Sequence, residues 1–89
     1  MEGIQLTWDF TGQSDGFTIY RQTGSEPAVA IARTIRTKRE YLDEFVQFAT
    51  TYTYKVAAFN QLEEYSISES VTVTTSAAPI VTNLEASVL

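Results

Sequence analysis

The sequence predicts an all-β protein, a small antiparallel β-sandwich, and three observations carry that expectation. Across residues 51–60, Tyr52, Tyr54, Val56 and Ala58 fall on one side of an extended chain and Thr53 and Lys55 on the other. That two-residue period is the signature of a strand with one buried face. Six strand-like stretches follow one another at roughly 10-residue spacing, without a convincing helical period. The abundance of Thr, Val, Ile and Tyr favours pleated structure over helix.

Residues 3–9 alternate apolar and polar, with Ile4, Leu6 and Trp8 on one face. Residues 11–16 form a turn rich in Gly, Ser and Asp, after which Phe17-Thr18-Ile19-Tyr20-Arg21 resumes the alternation. Gly24-Ser25-Glu26-Pro27 breaks it again. Residues 28–35 read as a third strand, with Val29, Ile31 and Ile35 at odd positions and Arg33 among them, its outer end reaching solvent. Arg33, Arg36, Lys38 and Arg39 are four of the six basic residues; Glu40, Asp43 and Glu44 flank them, so a solvated turn is expected there. Tyr41-Leu42-Asp43 begins a short strand, residues 45–50 cross over, residues 60–64 make a polar hairpin connection, and residues 65–75 close the set with Val71 and Val73 on one face.

Eighty-nine residues form one domain with a thin core, because a chain of this size buries only about 60–65% of its unfolded surface. The absence of Cys and His excludes disulfides, zinc sites built on thiolate or imidazole, and catalysis by Cys-His or Ser-His pairs. A net charge of −5 argues against general attraction to nucleic acid or to an anionic membrane. No stretch reaches the ~18 apolar residues of a membrane span, and Met1-Glu2-Gly3 is not a signal-peptide opening. Adjacent carboxylates at Asp43/Glu44 and Glu63/Glu64 point to opposite faces of an extended chain, so neither pair can converge on one substrate atom. Asp9 and Asp15 bracket a turn with too few oxygens for calcium, and the isolated glycines make no phosphate loop. Trp8, Phe17, Ile19, Tyr52, Tyr54 and Val56 are the expected structural core. Tyr20, Phe59 and Tyr65, on outer faces or loop ends, are the candidate partner-binding residues; catalytic, metal and cofactor sites are expected to be none.

Over residues 3–75 the order and spacing of these pieces resemble a fibronectin type III domain, an immunoglobulin-like antiparallel β-sandwich. Gly3-Ile4-Gln5-Leu6-Thr7-Trp8 is similar to the family's strand B with its core tryptophan, and Gly16-Phe17-Thr18-Ile19-Tyr20-Arg21 to strand C. Glu40-Tyr41-Leu42-Asp43 with Val46 resembles the strand E approach. Tyr52 stands where the family has the tyrosine whose hydroxyl ties the E–F corner to an upstream backbone group. Residues 54–60 resemble strand F and residues 68–75 strand G. Phe48-Ala49 replaces the family's usual Pro-Gly before the corner tyrosine, and no Arg-Gly-Asp triplet is present to carry integrin binding over.

Strand A is missing in front of strand B, whereas residues 78–87, with an early Pro79 and then Leu84, look like a strand A opening. Residues 1–75 are accordingly expected to form the sandwich, and residues 76–89 a linker plus the A-like strand of a following repeat or of a swapped strand. Self-completion is disfavoured: a return along a seven-residue strand covers about 23 Å, and Ser76-Ala77-Ala78 spans about 10 Å. Strand exchange through residues 79–88 onto a neighbouring copy, giving a homo-oligomer, is the alternative to a frayed tail. The resemblance implies a non-enzymatic spacer and protein-interaction module of a multidomain extracellular or cell-surface protein, without cofactor and with neighbouring domains or proteins as partners. The Thr-Tyr-Thr-Tyr style of strand F looks like that of modules accompanying bacterial polysaccharide-degrading enzymes and phage or surface proteins. The alternative reading is a carbohydrate-binding accessory module using surface tyrosines.

Overall fold

The computed structural model describes residues 3–61, 63–80 and 82–88 and contains strands and loops without helix among them. Seven strands follow in order: β1 (Ile4–Thr7), β2 (Gly16–Thr23), β3 (Val29–Ile35), β4 (Glu40–Asp43), β5 (Thr51–Asn60), β6 (Glu63–Ile67) and β7 (Val71–Thr74). They make two antiparallel sheets. One holds β1 and β4; the other runs β3-β2-β5-β6, with β7 on the same edge of β5 as β6.

Strand β5 is the axis of the larger sheet because its alternation is the cleanest in the chain. Cross-strand partners share a face, so the pairs Phe17 with Ala58, Ile19 with Val56 and Arg21 with Tyr54 all look inward. Ile4 and Leu6 of β1 meet Ile19, Tyr52 and Tyr54 from the opposite sheet, with Val46 of the β4–β5 loop filling the gap, and these six form the buried cluster. Trp8 and Val56 are half-buried and pack against it. Phe17 is buried at one end, where the rings of Trp8 and Phe10 meet it edge-on at 5.6 and 5.5 Å.

Two departures from strict alternation have local causes. Strand β3 carries a β-bulge: Ile19 faces Ala32 but Tyr20 faces Ala30, which leaves Ile31 as the extra residue. The extra residue reverses the parity of the strand. Val29 shares a face with inward Arg21, whereas Ile35 pairs with Gly16 on the outer face and stands 68% exposed. The expected single strand over residues 65–75 is instead β6 and β7, separated where Ser68 turns both its N–H and its hydroxyl onto the backbone of Val56. The hairpin before it is tighter than expected, since β5 extends through Asn60 and β6 starts at Glu63.

Gly16 is the position where the closest approach forbids a side chain. A Cβ there would lie 2.3 Å from the Thr34 carbonyl oxygen and 2.9 Å from the Phe59 ring, which lies across the glycine from the neighbouring strand. Gly16→Ala is therefore expected to cost about 1–3 kcal/mol of unfolding free energy in urea titrations, because backbone and ring must both shift.

Candidate functional site

The inward parity of β2 and β4 brings two charges into the core. Arg21 continues the face of Phe17 and Ile19, and Asp43 continues that of Tyr41, so the two strands aim opposite charges at each other from opposite sheets. The Arg21 Nη1 donates to Asp43 Oδ1 and Oδ2 at 3.0 and 2.9 Å and to the Phe45 carbonyl at 3.1 Å. Tyr54 donates its hydroxyl to Asp43 Oδ2 at 2.7 Å, and the Phe45 N–H donates to Oδ1 at 3.1 Å. Every acceptor position of the carboxylate is thus used. The Phe45 bond also closes an Asx turn, which ends β4 at Asp43.

Burial matters here. The Asp43 side chain is 1% exposed and that of Arg21 19%. Burial alone pushes the Asp43 carboxyl up, but the hydrogen bonds from Tyr54, Arg21 and Phe45 outweigh it and hold the group below the usual carboxylate range. The Tyr54 hydroxyl moves far above its ordinary value, first from burial and then because it donates to a carboxylate. For Arg21, burial works against the charge, but the bond and the field of Asp43 prevail and raise it further. Its guanidinium also lies 5.6 Å from the centroid of the Tyr52 ring.

Beside this charge pair, the β4–β5 loop is fastened to the point where the chain leaves β7. Gln47 donates its N–H to the Tyr52 hydroxyl at 2.7 Å. Thr50 donates to Thr75 Oγ1 at 3.0 Å, Thr75 to the Thr50 carbonyl at 3.0 Å, and Ala49 to the Ser76 carbonyl at 2.8 Å. To make that last bond Ala49 takes a φ of 50°, a left-handed conformation that costs a residue with a Cβ about 1–2 kcal/mol. Glycine adopts this backbone conformation without that cost.

Tyr20, Phe59 and Tyr65 do not form one strip. Tyr20 and Phe59 lie on the outer face of the larger sheet, opposite Lys55 and Gly16. The Tyr20 hydroxyl donates to the Glu64 carboxylate, a bond that raises its pKa above the ordinary tyrosine value. Phe59 covers Gly16, and Arg33 lies over its ring at 4.8 Å. Tyr65 occupies the bulge of β6, turns to the other side, meets the Phe10 ring edge-on at 6.1 Å and donates to the Gln13 carbonyl. Of the crowded cations, Arg39 also stacks, 4.7 Å over the Phe17 ring. Asp15 accepts from the Gln61 N–H at 2.7 Å. Among the described residues no three carboxylates come together as a metal site, and no helix is long and apolar enough to cross a membrane.

Sequence reasoning did not single out Arg21, and it treated Asp43 as half of an acidic doublet and as one of the carboxylates flanking a solvated turn, whereas Asp43 is buried. The signal was parity: an Arg two residues after Ile19 and an Asp two residues after Tyr41 both fall on inward positions. Comparison with family models, with curated proteins and with solved structures returned no match in any of the three searches.

Removing the Asp43 charge leaves Arg21 without its partner. Asp43→Asn is expected to lose about 3–4 kcal/mol, the lower part of the range for broken buried pairs because Arg21 keeps part of its head in water. With Asp43 held below its unfolded value of about 4, its stabilisation is complete above that pH and drains away as acid carries the solution down through the folded value. Urea midpoints should accordingly fall below about pH 4 in the parent, and fall less steeply in Asp43→Asn. Ala49→Gly should raise stability by about 0.5–1 kcal/mol in the same titrations, since glycine adopts the left-handed turn without a Cβ penalty but has more chain entropy to lose.

Proposed function

We propose that this β-sandwich is a fibronectin type III-like module. It serves as a non-enzymatic spacer and protein-interaction domain of a larger extracellular or cell-surface protein. The strand order supports the first step: β1 and β4 stand in the places of B and E, and β3-β2-β5 with β6/β7 in those of C′-C-F-G. The Tyr52 hydroxyl, held by a backbone N–H five residues upstream, supports reading it as the family's corner tyrosine.

One observation carries the spacer reading. A spacer must fix the direction in which the chain leaves it, and here the exit after β7 is fastened to the β4–β5 loop at Ala49, Thr50, Thr75 and Ser76. Flexible linkers have no such fastening. Energy transfer between fluorescent proteins fused before residue 1 and after residue 76 would report it. The expected result is a narrow distance distribution in the parent and a broader one in Thr75→Ala; a distribution as broad as that of a Gly/Ser linker would end the reading. Retention on polysaccharides that is lost in Tyr20→Ala or Tyr65→Ala would replace it with the carbohydrate-binding alternative, for which the two tyrosines would have to act from opposite sides of the sheet.

A further inference from the structure

Among the described residues the smaller sheet has two strands and leaves one edge of β1 unpaired. Trp8 donates its N–H to the Arg39 carbonyl at 3.0 Å, in register with the pairs Leu6 with Tyr41 and Ile4 with Asp43. Backbone groups of the even-numbered residues of β1 therefore point at β4, and those of Gln5 and Thr7 point the other way, where no described strand meets them. Below that open edge lies the inner face of β7. Val71 and Val73 look inward, opposite Tyr54 and Tyr52, yet Val71 remains 49% exposed because nothing roofs it. Gly3, Ile4, Phe48 and Val73 line one groove there.

The chain also carries a segment of the matching pattern. Within residues 79–88, of which Val81 lies outside the described residues, Ile80, Thr82, Leu84, Ala86 and Val88 share one parity and Pro79, Asn83, Glu85 and Ser87 the other, so the alternation is clean from Asn83 onward. Ile80, Leu84 and Val88 are 81%, 86% and 99% exposed. The tail stands off the body: the radius of gyration is 18.1 Å, against about 12 Å for a compact chain of this length.

Polarity decides which copy the segment serves. Strand β1 starts beside Thr74 and Ser76, at the pole where the tail leaves, and runs away from it. An antiparallel partner for β1 must run toward that pole, so the tail would first have to travel back past the four residues of β1, about 13 Å, and then reverse. Ser76-Ala77-Ala78-Pro79 covers about 14 Å at most and leaves no residue for the turn. Continuing outward, however, the tail meets the far pole of a second copy stacked end to end, and there it runs antiparallel to that copy's β1 without reversing.

We propose that residues 80–88 of one copy add as a third strand to the open edge of β1 in a second copy, with Leu84, Ala86 and Val88 roofing its Val71 and Val73. The contact is heterologous, so repetition gives head-to-tail chains or rings. Asn83, at a φ of 58° in the single chain, straightens when the strand pairs.

Sedimentation velocity from micromolar to millimolar concentration tests this on the full 89-residue chain. The weight-average mass should at least double from 9.9 kDa in the parent. It should stay monomeric in Leu84→Lys, a change at an exposed position that leaves the sandwich intact by circular dichroism. Gln5→Pro should also stay monomeric, since it removes a donor from the open edge and none from the β1–β4 ladder. A synthetic peptide of residues 79–88 should bind the Leu84→Lys chain saturably. A parent that is monomeric throughout, or an association that survives Leu84→Lys, would overturn the proposal.

Discussion

The carboxylate of Asp43 is the charge this sandwich keeps out of water, and the placement of its two sheets depends on how that charge is satisfied. An unpaired carboxylate at 1% exposure would be costly enough to drive protonation. Four hydrogen bonds prevent that, from Arg21 to both oxygens, from Tyr54 and from the Phe45 N–H. Three of the four come from β2 and β5 and tie β4 to the larger sheet. An apolar pair of similar volume would serve stability as well or better. What the ionic arrangement contributes is register, because hydrophobic contacts tolerate sliding and a carboxylate with every acceptor filled does not.

The two ends of the sandwich are held in different ways. At one end Phe17 is enclosed by Trp8, Phe10 and Arg39, contacts of rings and a guanidinium that tolerate rotation and small displacement. At the other, the charge pair, the Tyr52 hydroxyl and the Thr50–Thr75 bonds are directional. The chain leaves at the directional end. A strained Ala49 is retained at that end, where it holds the Ser76 carbonyl and with it the path of the departing segment.

Much of the fold was legible in the residues. Strand β5 is announced by Tyr52, Tyr54, Val56 and Ala58, and β1 by Ile4 and Leu6, because burying one face of a pleated chain leaves a period of two in the sequence. The bulge at Ile31 was not legible. Its cause is the pairing of β3 with β2, and a shift of one residue moves Ile35 from the inner face to the outer. The division of β6 from β7 at Ser68 has the same origin in a partner strand, the backbone of Val56. The candidate aromatics were expected on outer faces or loop ends; Tyr20 and Phe59 lie on the outer face of the larger sheet, Tyr65 turns to the other side, and what each touches was not readable: Phe59 roofs a glycine on another strand, and Tyr65 reaches a loop about 50 residues earlier.

The sequence alone determined the apolar faces of β1, β2 and β5, and that chemistry requiring thiolate or imidazole had no residues to use, since these follow from local alternation and composition. Tertiary structure decided that Arg21 and Asp43 meet, that Tyr20 and Tyr65 part to opposite sides, and that β1 keeps an open edge above Val71. Each of those depends on the distance between groups far apart along the chain. Periodicity specifies which way a side chain points and is silent about what stands opposite.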